Sequence, residues 1–479
     1  MFEQELSNLE NNTDIRKNLL SIKEKLNDVS AVKQLNKEAG RNYFVKYLQN
    51  DDAKTRVNAV KILGYIVDES CADFIMDAYD NEQTMFARPA YLKALSGFDY
   101  SQYIDRLLTR KKFLLEQDFD ENNIKHVAAE LKELNSLIGC EDIYQRHHFC
   151  NPKSEKTVYL TTGKDTKDVL SAQVKNSEKV FCGVKVITKD IKKLSANRLY
   201  REMLFPLNDM KSCPKSQIPE ALLSGNLESI LKECHIEDTP FKFRLTGKEL
   251  DLSDIAARIE ALSKEKLINA PSDYEIEIKL IASKEGRYGM LLKLHTLQDK
   301  RFNYRKEYVA ASMNPVNAAM MVAMVKDYLV EGAQVIDPFC GVGTLLIERN
   351  KLVKAGPMYG IDTFGKAIEG ARNNTRRAQG ISINYINRDY FDFTHDYLFD
   401  EIITDMPVLS ENSDEFYGRF FDKSEQILKE KGLIIIYSGE KNLVKKHLRL
   451  RDNYRLVREF AFNSKEGINI FVIELLTKK

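Results

Sequence analysis

Up to about residue 148 apolar positions recur at steps of three and four, as in Val57, Val60, Ile62, Leu63 and Ile66. That period places them on one face of a helix, so residues 1–148 are expected to be all-helical. From about Lys156 the texture changes. TVYLTTG reads as a strand, DTKDVLSAQVKN as a helix and KVFCGVKVIT as a further strand. FKFRLTG, DLSDIAARIEALSKE, YEIEIKLIAS and RYGMLLKLH then give strand, helix, strand, strand, so residues 149–310 are expected to form one or two small α/β layers. After Ala311 short apolar strands alternate with amphipathic helices: AQVIDPF, LLIERNKL, PMYGID, KAIEGARNNTRRAQG, INYINRD, DEIITD, FFDKSEQILKEK and GLIIIYSG. This order predicts a mostly parallel sheet covered on both faces over 311–479. REFAFNS and INIFVIELL, separated by KEG, close it as an antiparallel hairpin.

Within the helical segment RVNAVKILG, from Arg56, aligns with RPAYLKALSG, from Arg88, matching Arg56 with Arg88, Lys61 with Lys93 and Leu63 with Leu95. The spacing resembles HEAT-type helical repeats, although two imperfect copies also arise in ordinary helical bundles. The 479 residues are too many for one ordinary core, and three domains are expected. Lys and Arg number 72 against 71 Asp and Glu, a formal charge of +1, so any nucleic-acid site is a local patch. The seven cysteines, Cys71, Cys140, Cys150, Cys182, Cys213, Cys234 and Cys340, lack metal-ligand spacing and read as reduced thiols. His147, His148 and Cys150 have no second cluster to complete a tetrahedral site, so no metal is assigned. The opening residues lack an apolar signal core and no stretch reaches the ~18 apolar residues of a membrane span, which gives a cytoplasmic expectation.

The sharpest motif is VIDPFCGVGTLLIE, Val335 to Glu348. A strand delivers Asp337, and Gly341 and Gly343 let backbone amides approach a ligand at the start of the next helix. GxGxxG and GK[ST] patterns are both missing, which argues against a nucleotide-phosphate loop. Asp337 suits a cationic, amine-bearing methionine moiety better than a pyrophosphate, and that points to S-adenosylmethionine. Asp362 in YGID ends the next strand, where an acid can take two ribose hydroxyls. Asp389 in INRDYF ends the third, within reach of an adenine amine, with Tyr390 or Phe391 to cover the ring.

The fourth strand ends in Asp405-Met406-Pro407-Val408. A nucleobase amine is a poor nucleophile because its lone pair is delocalised into the ring. The Asp405 carboxylate and the Met406 carbonyl, held extended by Pro407, can each accept one amine hydrogen and leave the lone pair facing a methyl donor.

With DPFCGVGTLLIE, YGID, TDMP and the segment RFNYRKEYVAASMNPVNAAM, the chain resembles the THUMP-associated RNA methyltransferases that modify the N2 amine of guanosine in tRNA or rRNA. The resemblance covers 301–479 and, less sharply, 150–300. It implies a class I Rossmann-like methyltransferase domain over 311–479 and a ferredoxin-like plus THUMP-like RNA-gripping region over 149–310. On the same resemblance Asn314 and Pro315 belong to a loop closing over the methionine end, and Phe339 and Thr344 lie in the cofactor loop. Arg301, Arg305 and Lys306, with Phe302 and Tyr304 interleaved, are the nominated RNA contacts. The family carries an aromatic residue after the catalytic proline and this chain carries Val408, for which Phe416 or Tyr417 can substitute. The alternative reading is a catalytically degenerate descendant that binds RNA, or a protein partner through its helical region. A third keeps the enzyme and changes the acceptor to a protein amide or a DNA amine.

Overall fold

The computed structural model describes the chain except residues 27, 41, 118, 120, 139–145, 265, 311 and 477–479, so Cys140 and the Ala311 boundary lie outside the described residues. Contacts divide it into two compact units. One joins Met1–Phe149 to Leu207–Thr296, and the other joins Cys150–Pro206 to Leu297–Lys479. The sequence boundaries at 149 and 310 bracket a stretch that this division shares between the two units. The reason is non-local: short strands carry no mark in their own sequence of which core they complete.

In the first unit, helices occupy residues 3–138 with no strand among the described residues. Their apolar faces, including Leu19, Ile22, Leu63, Ile75, Tyr91 and Leu134, form one core. Two buried acids tie the helices together. Glu82 takes Arg56 Nε and Nη2 at 2.8 and 2.6 Å and the Tyr91 hydroxyl at 3.0 Å. Glu130 takes the Tyr79 hydroxyl and Arg110 Nε, both at 2.8 Å. The unit's second segment carries a sheet in which Phe241–Thr246 lies parallel to Leu267–Asn269 and Ile276–Ala282, and the latter is antiparallel to Arg287–Leu294.

In the second unit, Lys156–Thr161 pairs antiparallel with Gly183–Thr188 and with Met203–Leu207. KVFCGVKVIT is therefore not one strand: Glu178–Val180 and Gly183–Thr188 fold back on each other. The remainder is a seven-stranded sheet of β1 (Val335–Asp337), β2 (Met358–Asp362), β3 (Asn384–Asn387), β4 (Phe399–Asp405), β5 (Leu428–Ser438), β6 (Tyr454–Asn463) and β7 (Ile468–Leu475). The order is β3-β2-β1-β4-β5-β7-β6, parallel from β3 to β5 and antiparallel at β7 and β6. Its helices are α1 (Pro315–Met324), α2 (Thr344–Leu352), α3 (Gly365–Ala378), α4 (Ser413–Ile427) and α5 (Lys441–Arg449).

Burial on both faces explains the apolar runs of the central strands: Ile402, Ile403, Ile434, Ile435 and Ile436 are fully buried. Each such side chain contributes on the order of 1.5–3 kcal/mol over exposure. In α3, Ala367, Ile368, Ala371, Asn374 and Thr375 recur at helical spacing and face inward. The expected helix FFDKSEQILKEK stops at Ile427, and its last residues join β5, where Lys431 adopts a left-handed φ of 62°.

Candidate cofactor and acceptor site

Parallel strands bring their C-terminal ends to one edge of the sheet, and the acids of β1, β2 and β4 stand there. Asp337 is buried at the end of β1. Its Oδ1 accepts from Thr404 Oγ1 at 2.7 Å and from the Phe339 amide at 3.1 Å. Asp362, ending β2, accepts from the Gly341 amide at 2.9 Å and the Phe364 amide at 2.8 Å, which ties the glycine loop to the second strand end. Each Asp362 oxygen keeps a lone pair for a further donor. Asp389 follows β3, is exposed, and accepts from the Phe391 amide at 2.9 Å.

The two loop glycines do different work. Gly341 has φ +52° and a β-carbon there would meet nothing within 4 Å, so it borders open space. Gly343 has φ +77° and a β-carbon would sit 2.1 Å from the Tyr385 hydroxyl, so it is held by packing. Thr344, starting α2, accepts from Arg305 Nε at 3.1 Å.

At the end of β4, Asp405 stands in register with Tyr437 of β5, and the Met406 amide donates to the Tyr437 carbonyl at 3.0 Å. Among the described residues nothing donates to the Asp405 carboxylate or to the Met406 carbonyl. Pro407 follows, half-buried, and Val408 is 97% exposed. Burial pushes the Asp405 carboxyl up to about 7. Burial also pushes Asp337 up to about 7, reinforced by the charges of Asp405 and Asp362 and opposed by the Thr404 and Phe339 hydrogen bonds. The site is thus a group of acids, and among the described residues no cation is a leading influence on either carboxyl. It is electrostatically prepared for a positively charged ligand.

Other nominated residues fall elsewhere. The Arg301 guanidinium is turned inward: it donates to the Asn197 and Tyr200 carbonyls at 3.1 and 2.7 Å and to both oxygens of Asp299, and lies 3.7 Å from the Tyr200 ring centroid. Arg305 also points inward, to Thr344 and to the Met313 carbonyl at 3.1 Å. Internal acceptors thus engage both guanidiniums, which were expected to face RNA. Lys306 is exposed, and its amide donates to Asn374 Oδ1 at 3.1 Å. Asn314 caps α1, accepting from the Val316 amide at 2.9 Å, and Pro315 takes the first helical position.

Phe339 packs beside Tyr390 and Phe416, with Phe391 against Phe416 at 5.4 Å between centroids. Tyr390 and Tyr417 are core residues whose hydroxyls meet Ser424 and Ser438 at 3.1 and 2.6 Å, leaving Phe391 and Phe416 as the half-buried aromatics.

Three supporting residues escaped the sequence reading. Thr404 holds Asp337. Tyr385 fills the space under Gly343 and Gly360. Asn374 donates to the Glu307 and Val342 carbonyls at 3.0 and 3.2 Å and accepts the Lys306 and Glu307 amides, joining the 305–307 segment to the glycine loop. Asn374 had a signal: an amide on the apolar face of α3 is tolerated only when its hydrogen bonds are met.

The C-terminal domain has the Rossmann-like fold of class I methyltransferases, by its strand order and its acidic, glycine-bearing first turn. Residues 303–467 match the family model described as UPF0020: RMKL-like, methyltransferase domain. The chain is 26% identical over 185 residues to the tRNA (guanine(10)-N2)-dimethyltransferase of Methanothermobacter thermautotrophicus, covering 36% of this chain and 54% of that protein. It is 28% identical over 148 residues to the ribosomal protein L11 methyltransferase of Dictyoglomus thermophilum, covering 27% of this chain and 49% of that protein. The chain therefore spans about half the length of the curated relatives it matches. TrmN from Thermus thermophilus aligns over 67% of this chain and 100% of its own at 18% identity, with a TM-score of 0.51, a likeness of fold.

Family model and fold imply S-adenosylmethionine as cofactor, and the residues present fit it. The open face of Gly341 offers a cradle, and the acid group offers the charge a sulfonium and an ammonium require. Among the described residues no cluster of His, Cys, Asp or Glu is placed to hold a metal ion, and no helix is long and apolar enough to cross a membrane.

Proposed function

We propose that the chain is an S-adenosylmethionine-dependent RNA methyltransferase acting on the N2 amine of guanosine in tRNA or rRNA. One observation carries this reading: two acceptors with no donor among the described residues, the Asp405 carboxylate and the Met406 carbonyl, belong to adjacent residues at the end of β4 beside the acidic group. A planar primary amine offers two hydrogens to match them. Bound S-adenosylmethionine supplies an electrophilic methyl group. Asp337 and Asp362 are assigned to its ammonium and ribose hydroxyls, Asp389 to its adenine amine, and Asn314 and Pro315 to the loop over its methionine end. Asp405 and Met406 orient the acceptor amine and draw its lone pair out of conjugation, while Pro407 keeps the carbonyl extended. The guanosine acceptor agrees with the activity for which the tRNA relative is named; the L11 relative, by its name, acts on a protein. A THUMP-like role in gripping RNA for the middle region and HEAT-like, partner-binding helices at the N-terminus complete the proposal.

The 97% exposed Val408, where the resemblance expects a base-stacking aromatic, favours the second reading, a degenerate descendant that binds without transfer. The test is transfer of labelled methyl from S-adenosylmethionine to total RNA, DNA and protein extract, with nucleoside analysis of the RNA. Label in N2-methylguanosine is the expected result. Cofactor binding without transfer to RNA establishes the degenerate reading, and label in protein or DNA changes the acceptor.

A further inference from the structure

Residues 150–206 hold twelve Lys and Arg against six Asp and Glu, in a chain whose whole balance is only +1. At the end of this basic segment, Arg201 is exposed, and among the described residues its guanidinium has no hydrogen-bond or ion-pair partner. Its backbone is well fixed. The Arg201 amide donates to the Thr161 carbonyl at 2.8 Å. The preceding Tyr200 is gripped by the buried Arg301, which binds its carbonyl and stacks on its ring. Arg301 thus builds the platform from which Arg201 projects.

Arg201 lines a cavity of about 370 Å³ with Asn314, Tyr437, Phe462 and Glu466. That volume is at the lower end of the ~300–1,000 Å³ of small-ligand sites. Tyr437 is the register neighbour of Asp405, so the cavity adjoins the acceptor end of β4. Tyr437 and Phe462 meet edge to face at 4.9 Å and offer an aromatic wall. Glu466, also without a hydrogen-bond or ion-pair partner for its side chain among the described residues, offers an acceptor to N–H donors. A cation, an aromatic wall and an acceptor match a ligand with a phosphate, a planar ring and a donor edge, which is the chemistry of a nucleotide.

Resting on the methyltransferase reading above, we propose that Arg201 is a positioning residue that grips the RNA phosphate of the acceptor nucleotide and holds that nucleotide in the cavity beside Asp405. The rival source of an oxyanion is the carboxylate of the cofactor's methionine end, and the experiment separates the two. Bulk tRNA binding to the full chain is measured by anisotropy across salt concentrations for wild type, Arg201→Ala and Arg201→Lys, with S-adenosylmethionine affinity by calorimetry and methyl transfer alongside. Arg201→Ala is expected to weaken tRNA binding about tenfold and to lower the salt slope by about one. The lysine variant recovers part of the loss as a point charge, and the loss in turnover falls mainly on KM for RNA with cofactor affinity unchanged. Unaltered tRNA affinity, a loss confined to cofactor binding, or a wild type that binds no tRNA overturns the proposal. A wild type that transfers no methyl to RNA, yet loses tRNA affinity on Arg201→Ala, refutes the catalytic reading and leaves the phosphate site standing.

Discussion

At the scale of single residues the site is defined by carboxyls kept in an unfavourable charge state. The Asp405 carboxyl, normally near 3.8, is raised to about 7 by burial and accepts no hydrogen bond from the described residues. Its folded-state pKa lies above the unfolded one, so between about pH 4 and 7 the folded protein binds more protons and stability falls as pH rises. Above that window the cost is fully present. Asp405→Asn is therefore expected to raise the melting temperature at pH 8, by about 2–4 °C for each kcal/mol relieved, and to leave it unchanged at pH 4. Methyl transfer should fall at least ~100-fold with cofactor affinity nearly intact. Undiminished turnover in that variant removes Asp405 from the chemistry. The two glycines give a paired test. Gly341→Ala costs roughly 1 kcal/mol for its positive φ, and its new β-carbon enters open space, so cofactor affinity should drop about tenfold or more while the cofactor-free protein melts almost as before. Gly343→Ala collides with Tyr385 and should lower the melting temperature of the cofactor-free protein markedly. The reverse pattern in calorimetry and thermal unfolding would move the cradle to the other glycine.

At the scale of elements, α2 is buried on nearly all sides, and its two successive charged residues each have a specific anchor. Glu348 accepts from Arg198 Nε and Nη2 at 2.9 and 2.6 Å and from the Tyr304 hydroxyl at 2.6 Å. Arg349 is fully buried, with Nε and Nη2 at 3.0 and 2.7 Å from the Glu401 oxygens of β4 and further bonds to the Val330 and Val353 carbonyls. Arg349→Met strands a buried carboxylate and is expected to cost about 3–5 kcal/mol in denaturant unfolding, while the double change with Glu401→Leu recovers most of that. A single variant as stable as wild type would mean Glu401 is neutral in the fold. These anchors also mark where sequence reading reaches its limit. The alternation of β1 to β5 with α2, α3 and α4 was legible because burial on both faces makes strands uniformly apolar and helices periodic. Asp337, Asp362, Asp389 and Asp405 stand at or just after strand ends, as their local sequence suggested. The inward turn of Arg301 and Arg305 was not legible, since their partners, Asn197, Tyr200 and Thr344, are assembled by folding. Nor was the break in KVFCGVKVIT, where an unbroken β-rich run hides a turn.

At the scale of the whole molecule, the acids of the candidate cofactor site belong wholly to the unit of Cys150–Pro206 and Leu297–Lys479. The helices of residues 3–138 have a separate core, pinned by Glu82 and Glu130. A cofactor whose ammonium meets Asp337 and whose ribose meets Asp362 should therefore slow local opening around those two acids. Hydrogen exchange with and without S-adenosylmethionine is expected to show protection over residues 337–344, 358–364 and 388–392, and no change over 3–138. The glycine loop should respond most, because its Gly341 amide is already drawn to Asp362 and a ligand across that contact fixes both partners. Protection spread into the helices would mean that cofactor binding is felt across the unit boundary, making the helical region part of a ligand-linked response. Protection missing from the loop itself would remove the glycine cradle from the cofactor site while leaving the fold of the sheet untouched.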